Sequence, residues 1–315
     1  MEETIDHQAA RQSLMSAIAA IRSGDLKDDR VSRLSDLSRD DLRILAEAWR
    51  SIPEDIRQNL VRRCEEIAEE RVEFNFSRAL TLALEDPSPV VRQLAVSALW
   101  ENESQILLDR LRKLFAEDES PDVRASVAGA LERYASLAAS GALASNDGDE
   151  LRSMLLNSFT DPQQPLAVRR RSLEALGPLG GHPDVAQAIT EAYESGEHGL
   201  QCSAIYAMGK TLDARWLESV LAELEGDDAE LRYEAARAAG SLGSTDALPA
   251  LLDAAADEDP EVRHTAIAAI GRIGGRGAVR ALERLSEDAG EADHELIDAA
   301  IEEASVLLEP IQDSR

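Results

Sequence analysis

The chain has 315 residues, of which 61 are acidic and 33 are basic, so its formal net charge at pH 7 is −28. A surface this negative repels phosphate backbones and anionic lipid headgroups, which argues against nucleic acid and membranes and leaves basic proteins or cations open as partners. Hydrophobic residues make up 44% of the chain and aromatic residues only 3%. Alanine and leucine supply most of the apolar bulk, which favours helices.

Neither the cysteines nor the N-terminal segment indicates export. Cys64 and Cys202 lie far apart and form no disulfide framework or structural zinc motif, which is typical of a reducing compartment. The apolar stretch of residues 14–21 is too short to span a membrane. It follows an acidic start, Met1-Glu-Glu, whereas a signal peptide begins with a basic region. We therefore expect a cytoplasmic protein.

Helical periodicity predicts three helices at the N-terminal end, over residues 8–21, 40–50 and 53–72. Pro53 is suited to the start of the third helix, where its missing N–H group removes no hydrogen bond. These helices show less regularity than the sequence that follows. We expect residues 1–74 to form an N-terminal helical cap region and residues 75–315 to form a repeat array.

The array is defined by a recurring string in which a turn residue precedes Val-Arg, with small or apolar residues three, six and seven positions after the arginine. Asp259-Pro-Glu-Val-Arg263 is one of the clearest copies. Four of the five steps between copies are 31 or 32 residues long, and one is 45. Such a period predicts a repeat architecture. The copies are centred on Arg92, Arg124, Arg169, Gln201, Arg232 and Arg263.

Each repeat contains two helical segments. In the copy that begins at Asp227, acidic residues occupy the first turn, where they cap the helix and offset its dipole. Glycine at 240 or 243 predicts the end of this helix, as do the glycines at 209 and 271–275 in its neighbours. A second segment follows at 247–256. Because so small a pair cannot bury its apolar stripe alone, we expect the pairs to stack into an all-α solenoid.

Two further segments complete the array. The long step between Arg124 and Arg169 contains a small and polar stretch, residues 136–150, which predicts a loop insertion with room for a helical turn. At the C-terminal end, residues 292–308 keep helical spacing but lack Val-Arg, which is typical of a helix that caps the last repeat.

These residues resemble the HEAT-repeat superfamily, and in particular the short HEAT-like repeats also found in phycobilin lyases, which carry the acid-Pro-x-Val-Arg turn and helix. The resemblance covers residues 75–308. Residues 204–216 and 232–237 are similar to bacterial HEAT-repeat proteins, including those of Chloroflexota. The likeness implies an α-solenoid interaction scaffold and brings no activity with it.

The repeated arginines have a structural interpretation. Each lies beside an acidic turn, and the resemblance implies that such arginines pair across neighbouring repeats while their stems cover apolar surface. Gln201 interrupts the series, which is compatible with either a change of curvature or a functional surface. The predicted inter-repeat ladder consists of Arg92, Arg124, Arg169, Arg232 and Arg263.

A second set of residues follows the ladder position by one, two or five places. In a HEAT solenoid this side of the Val-Arg helix lines the concave wall, and tyrosine and arginine make good interface anchors there. A solvated mixed face is the alternative, and a buried apolar role is the alternative for the cysteine. The candidate partner-binding ridge consists of Arg170, Arg171, Glu174, Cys202, Tyr206, Tyr233, Glu234, Arg237 and His264.

Other motifs indicate no chemistry. Residues 204–211 differ by one glycine from a phosphate-binding loop, but they lie in a predicted helix whose amides are already bonded. Residues 271–277 are rich in glycine and are better explained as helix caps. We treat the five histidines as scattered and predict no metal, cofactor or catalytic site. HEAT-type iron hydroxylases use several His-Glu pairs, whereas this chain has only His294-Glu295.

The sequence therefore predicts a non-enzymatic adaptor that binds a partner helix or peptide on its concave face. The acidic surface would speed encounters with a basic partner. A chromophore lyase or a regulatory subunit of an enzyme complex is the alternative. A nucleic-acid enzyme would need a basic groove, whereas residues 251–315 carry 6 basic and 16 acidic residues.

Overall fold

The computed structural model describes the backbone of residues 2–288 and 290–306, and the side chains of residues 10–287, 290 and 293–306. Within these ranges all regular structure is helical, so the chain is an all-α solenoid, as predicted. The helices are α1 (Glu2–Arg22), α2 (Asp28–Val31), α3 (Arg39–Trp49), α4 (Glu54–Glu70), α5 (Ser77–Ala83), α6 (Pro89–Ala98), α7 (Gln105–Glu117), α8 (Pro121–Ala139), α9 (Ser145–Thr160), α10 (Leu166–Leu176), α11 (Pro183–Tyr193), α12 (His198–Lys210), α13 (Leu217–Leu224), α14 (Ala229–Leu242), α15 (Leu248–Ala254), α16 (Pro260–Ile273), α17 (Gly275–Asp288) and α18 (Glu291–Val306).

The chain forms two compact units, residues 1–131 and 132–315, with the boundary inside α8. In the first unit, α3 packs against α5 and α4 packs against α6. The pair α3–α4 therefore extends the stack into the predicted cap region, and the compact units do not divide at residue 74. None of the described helices has the length and hydropathy needed to cross a membrane.

The second unit has two layers of helices. The helices α10, α12, α14, α16 and α18 pack side by side in chain order, and we call them the second-helix layer. Opposite them, α9 contacts α11, and α15 contacts both α13 and α17. The positions three, six and seven after each Val-Arg arginine are buried here, for example Ala266, Ala269 and Ile270. The last two residues of the predicted C-terminal helix, 307 and 308, lie outside the described residues.

Glycines set the spacing of this layer. Among the glycines expected to end helices, Gly209, Gly240 and Gly271 lie inside helices. A Cβ atom on each would lie only 2.7, 2.8 and 3.1 Å from an alanine Cα of the next helix, so these positions require glycine for close packing. The other predicted ends are confirmed, because α14 is capped by Gly243, with φ 67°, and α16 is capped by Gly274. The contacting pairs are Gly209–Ala238, Gly240–Ala269 and Gly271–Ala300.

The predicted loop insertion at 136–150 is largely helical. It lengthens α8 to Ala139 and supplies the start of α9 at Ser145, which leaves residues 140–144 as the connection. Gly141 takes a positive φ of 76° there. The polar stretch after Ser145 forms the first turn of α9, where small polar and acidic residues are favoured. The loop prediction was therefore wrong.

Candidate interaction surface and inter-repeat contacts

Two of the ladder arginines make close ion pairs with an aspartate of the next repeat. Arg92 places Nε 2.7 Å and Nη2 2.8 Å from the two carboxylate oxygens of Asp118. Arg232 makes the same bidentate contact to Asp257, at 2.6 and 3.0 Å. The buried pair Arg57–Asp86, at 2.7 and 3.1 Å, was not predicted because α4 lacks Val-Arg.

Each of these aspartates stands six residues before the next ladder arginine, and this spacing gives it a second role. The Nη1 group of that arginine donates to the aspartate's own carbonyl oxygen, which links consecutive repeats through one residue. Glycine replaces the aspartate at position 226, and the arginine six residues later still donates to the backbone carbonyl of that glycine. The contacts are Arg92 to Asp86 at 2.7 Å, Arg124 to Asp118 at 2.7 Å, Arg232 to Gly226 at 3.0 Å and Arg263 to Asp257 at 2.9 Å.

The arginine–aspartate ion pairs are replaced by other contacts at Arg169 and Gln201, in the middle of the array. Arg169 donates from Nε to the Phe159 carbonyl at 2.9 Å and makes no ion pair with a described residue. Gln201 donates from Nε2 to the Tyr193 carbonyl at 3.2 Å. In this stretch the position that carries aspartate elsewhere is occupied by Gln163, Ser195 and Gly226.

The part of the ridge on α10 is held by a buried polar network. Ser203 donates from Oγ to Glu174 Oε1 at 2.7 Å, and Arg170 Nε lies 3.1 Å from Ser203 Oγ. The exposed Arg171 reaches back to Glu174 Oε2 at 2.7 Å. Glu174 is buried, so its place in a partner-binding ridge is corrected: it orients two arginines and does not face a partner.

The part of the ridge on α12 is centred on Tyr206. Its hydroxyl donates to Glu132 Oε2 at 2.7 Å, and the other oxygen of Glu132 lies 2.8 Å from Lys210 Nζ. Burial, followed by the charge of Glu132, raises the pKa of Tyr206 above its ordinary value. The neutral hydroxyl therefore stays bonded to Glu132 and holds the ring of Tyr206 in place. The guanidinium of Arg237 covers the face of this ring, 4.3 Å from its centroid.

On α14, Arg237 joins the two tyrosines of the ridge. Its guanidinium carbon is 5.9 Å from the ring centroid of Tyr233, and its Nη2 is 3.1 Å from Glu234 Oε2. Burial raises the pKa of Glu234, although Arg237 opposes this shift. The side chain of Arg237 remains 34% exposed, so a partner could still contact it.

A cavity of about 190 Å³ opens beside these residues, between α12, α14 and α16. Three cationic side chains contribute to it, and two of them, Lys210 and Arg272, were absent from the predicted ridge. Lys210 and Arg272 both stand nine places after a ladder position, and this spacing could have identified them. The cavity is lined by Tyr206, Lys210, Arg237, Ala238, Ser241 and Arg272.

The remaining ridge residue of α16, His264, contacts α18. Its Nε2 atom lies 2.9 Å from Asp293 Oδ1, and the imidazole is 49% exposed. These parts of the ridge are therefore the α10 network around Glu174, the cluster around Tyr206 and a separate histidine–aspartate contact.

Cys202 is buried, so the prediction of a surface thiol is corrected in favour of the buried alternative. Its Sγ atom lies 3.9 Å from Nδ1 of His198, which in turn lies 3.8 Å from Oε2 of Glu230. The ligand atoms of these three residues all lie within 4.8 Å of one another. Burial raises the pKa of the Cys202 thiol to about 12. His198 and Cys202 are four residues apart in the sequence, which places both on one face of a helix, so this spacing could have indicated the cluster.

The first unit has a different surface, which the sequence analysis did not find. A cleft of about 470 Å³ is lined by apolar side chains that include Val72, Phe74 and Trp100. Trp100 is 54% exposed and Val72 is 96% exposed. Four carboxylates also line the cleft, those of Glu65, Glu69, Glu101 and Glu103.

Helix pairs that repeat in the sequence and stack on their neighbours place the chain in the class of α-solenoid repeat proteins. Within this class the chain belongs to the HEAT-repeat family. The family model for HEAT repeats matches residues 77–153 and 217–304, which together make up about half of the chain.

Three known proteins illustrate the likeness. The deoxyhypusine hydroxylases of Homo sapiens and Drosophila melanogaster are 32% identical over 96 and 95 residues, which is 30% of this chain and 32% and 31% of those proteins. The matched segment thus spans about a third of these relatives. The structure of the complex of CpcE and CpcF of phycocyanin lyase from Nostoc sp. PCC7120 superposes with a TM-score of 0.55 at 20% identity, and covers 82% of this chain and 94% of that chain. This last similarity shows the fold.

Proposed function

We propose that the protein is a non-enzymatic scaffold that binds a partner peptide or helix across the second-helix layer of residues 132–315. The observation that carries the proposal is the cationic cavity beside Tyr206. Repeat solenoids present long rows of side chains as one surface, and this cavity supplies an anchor point within such a row. Tyrosine and arginine are the residue types that dominate interface energetics.

The charges around the cavity determine which group of a partner fits. Glu132 pairs with Lys210, and Glu234 pairs with Arg237. Arg272 is exposed and makes no ion pair with any residue in the described part of the chain. One positive charge is thus left over, so the cavity suits a single carboxylate of the partner, which Arg272 and Arg237 can bind through paired N–H groups.

The overall charge of the chain modifies this expectation. A net charge of −28 favours approach by a basic partner, whereas the cavity itself favours an acidic group. Both conditions are met by a partner segment that carries one acidic anchor residue among basic neighbours. The prediction of a basic partner from net charge alone is refined in this way.

The alternative, a chromophore lyase or a subunit of one, draws on the fold shared with the phycocyanin lyase complex. Small-molecule sites usually enclose about 300–1,000 Å³, and the cavity beside Tyr206 has about 190 Å³. A bilin would therefore stay largely outside it. The hydroxylase match covers about a third of those enzymes, and we do not extend their activity to this chain.

The proposal is tested with a partner recovered by native pull-down and identified by mass spectrometry, whose affinity is then measured by calorimetry. We expect Arg237→Ala and Arg272→Glu each to weaken binding about 10- to 100-fold, as truncation of an interface anchor does. Arg280→Ala is the matched control, because Arg280 is an exposed arginine on α17, outside the second-helix layer. It should leave the affinity unchanged.

Trp100→Ala distinguishes the two surfaces. If Trp100→Ala abolishes binding while Arg237→Ala and Arg272→Glu do not alter it, the partner binds the acidic-rimmed cleft of the first unit and the ridge proposal is wrong. Circular dichroism of each variant separates lost binding from lost folding.

A further inference from the structure

The cluster of His198, Cys202 and Glu230 is assembled by two neighbouring helices. His198 is the first residue of α12, and Cys202 follows one turn later on the same face. Glu230 lies in the first turn of α14, shortly after the N-cap residue Asp228. Because α12 and α14 pack side by side, the three side chains meet at one end of the interface between the helices.

We propose that these three residues form a binding site for a divalent transition-metal ion, with Zn²⁺ as the favoured ion, that links α12 to α14. The inference is independent of the proposed partner-binding function. It also replaces the sequence-based expectation that no metal binds.

The distances fit this ion. Zn²⁺ binds nitrogen and oxygen at about 2.0–2.2 Å and sulfur at about 2.3 Å, so two ligands of a tetrahedral site are roughly 3.3–3.6 Å apart. The observed separations from His198 Nδ1 are 3.9 Å to Cys202 Sγ and 3.8 Å to Glu230 Oε2. The third separation, between Cys202 Sγ and the Glu230 carboxylate, is at most 4.8 Å. Side-chain rotations that shorten all three separations would bring the ligand atoms onto one ion.

The second nitrogen of the imidazole supports the same arrangement. Nε2 of His198 lies 3.1 Å from Asp228 Oδ2, which favours the tautomer that carries its proton on Nε2 and directs the lone pair of Nδ1 toward Cys202 and Glu230. Asp228 is itself fixed, because its Oδ1 accepts from the backbone N–H groups of Glu230 and Leu231, each at 3.0 Å. A carboxylate behind a ligating histidine is typical of metal sites.

The charges and protons balance. The Cys202 thiol releases its proton to solvent as the sulfur–metal bond forms, so thiolate, neutral imidazole and carboxylate together carry two negative charges against the two positive charges of the ion. The imidazole of His198 is 47% exposed and the carboxylate of Glu230 is 58% exposed, so an ion has a path from solvent. Three protein ligands leave a fourth position for water.

The ligand set also selects the class of ion. A thiolate and an imidazole disfavour Mg²⁺ and Ca²⁺, which bind oxygen ligands. A related contact elsewhere shows what the cysteine adds: His264 and Asp293 are paired at 2.9 Å, and no third ligand of this kind joins them among the described residues. A histidine–carboxylate pair alone serves as an inter-repeat contact.

The test uses the full chain after treatment with a chelator and a reductant. Calorimetric titration with ZnCl₂ should show one saturable site with micromolar or tighter affinity, and MgCl₂ and CaCl₂ should give no saturable heat. Titration with CoCl₂ should produce the near-ultraviolet thiolate-to-cobalt band, which reports the sulfur ligand directly. Cys202→Ala and His198→Gln should each lower the Zn²⁺ affinity at least about tenfold, and Asp228→Asn about 10- to 100-fold.

Matched controls separate this site from other cysteines and histidines. Cys64→Ala and His182→Gln should retain the Zn²⁺ affinity of the parent chain. Flat titrations, or binding that persists unchanged in both Cys202→Ala and His198→Gln, would overturn the proposal. Because His198 lies at the surface, His198→Gln keeps the test decisive even where Cys202→Ala perturbs folding.

Discussion

Two neighbouring interfaces of the second-helix layer differ near the N-terminal ends of their helices and agree near the C-terminal ends. Both α12–α14 and α14–α16 are held close by a helical glycine that faces an alanine, Gly209 in the first and Gly240 in the second. At the turns, however, α14–α16 has the bidentate pair Arg232–Asp257, whereas α12–α14 has a hydrogen bond between His198 and Asp228. The backbone contact is thus kept while the electrostatic link is exchanged.

The α12–α14 interface lacks both members of the arginine–aspartate pair. At the α12–α14 interface the arginine is replaced by Gln201 and the aspartate by Gly226. Loss of one member alone would leave a half-buried charge without its partner, which costs more than the pair contributes. Since both are absent, no such charge remains, and the end of this interface is available for His198, Cys202 and Glu230.

The largest expected effect comes from the feature that both interfaces share. Gly240→Val should lower the free energy of unfolding by about 3 kcal/mol, because a Cβ at this position would lie 2.8 Å from the Cα of Ala269 and overpacking against backbone cannot relax. Urea denaturation followed by circular dichroism measures the change. Gly209→Val should behave in the same way.

Gly129→Ala in α8 is the control, since no heavy atom of the described residues lies within 4 Å of its added Cβ. It should stabilise the chain by about 0.5–1 kcal/mol through helix propensity alone. If Gly240→Val and Gly129→Ala had similar effects, close packing would not be the reason for the glycine series.

The second effect concerns the ladder itself. Arg232→Met should cost about 2–3 kcal/mol, because it leaves the 10% exposed carboxylate of Asp257 without its two charged donors. The double variant Arg232→Met with Asp257→Asn should be more stable than Arg232→Met alone. Arg169→Met, which removes one hydrogen bond to a carbonyl, should cost only about 1 kcal/mol.

The same pair predicts a pH dependence. Hydrogen bonds from Arg232 lower the pKa of Asp257 below its ordinary value, so the folded chain binds this proton less readily than the unfolded chain. The stabilisation is complete above the ordinary aspartate pKa and is lost as the pH falls through the lowered one. Asp257→Asn should therefore flatten the acid limb of the stability curve, and an unchanged limb would contradict this assignment.

Much of this interface chemistry could have been taken from the sequence. The aspartates at 86, 118 and 257 each stand six residues before a ladder arginine, and that spacing marks where the ladder is complete. The glycines eight residues after the ladder position were included among the candidate helix ends, because glycine commonly ends helices. Only the packed structure shows that α12, α14 and α16 continue past them.

The candidate site was harder to predict, for physical reasons. Helical periodicity gives the direction of a side chain but not its depth, so Glu174 and Cys202 were assigned to the same face as the exposed Arg171. The hydrogen bond from Tyr206 to Glu132 joins residues 74 positions apart. Periodicity within one helix carries no information about a contact so distant in the sequence.

The smallest effect is expected when the missing arginine–aspartate pair is introduced at the α12–α14 interface with Gln201→Arg and Gly226→Asp. These positions are separated as Arg232 and Asp257 are, and Gly226 is not among the glycines with positive φ, so its backbone accepts aspartate. Each single variant should be neutral or destabilising, because a guanidinium at position 201 would lack its acid and a carboxylate at position 226 would lie near the acidic side chains of residues 223, 227 and 228. The double variant should exceed the sum of the single changes by about 1 kcal/mol in a double-mutant cycle measured by urea denaturation. A coupling free energy near zero would mean that the turn geometry, rather than the absence of both partners, prevents the ladder from crossing the α12–α14 interface.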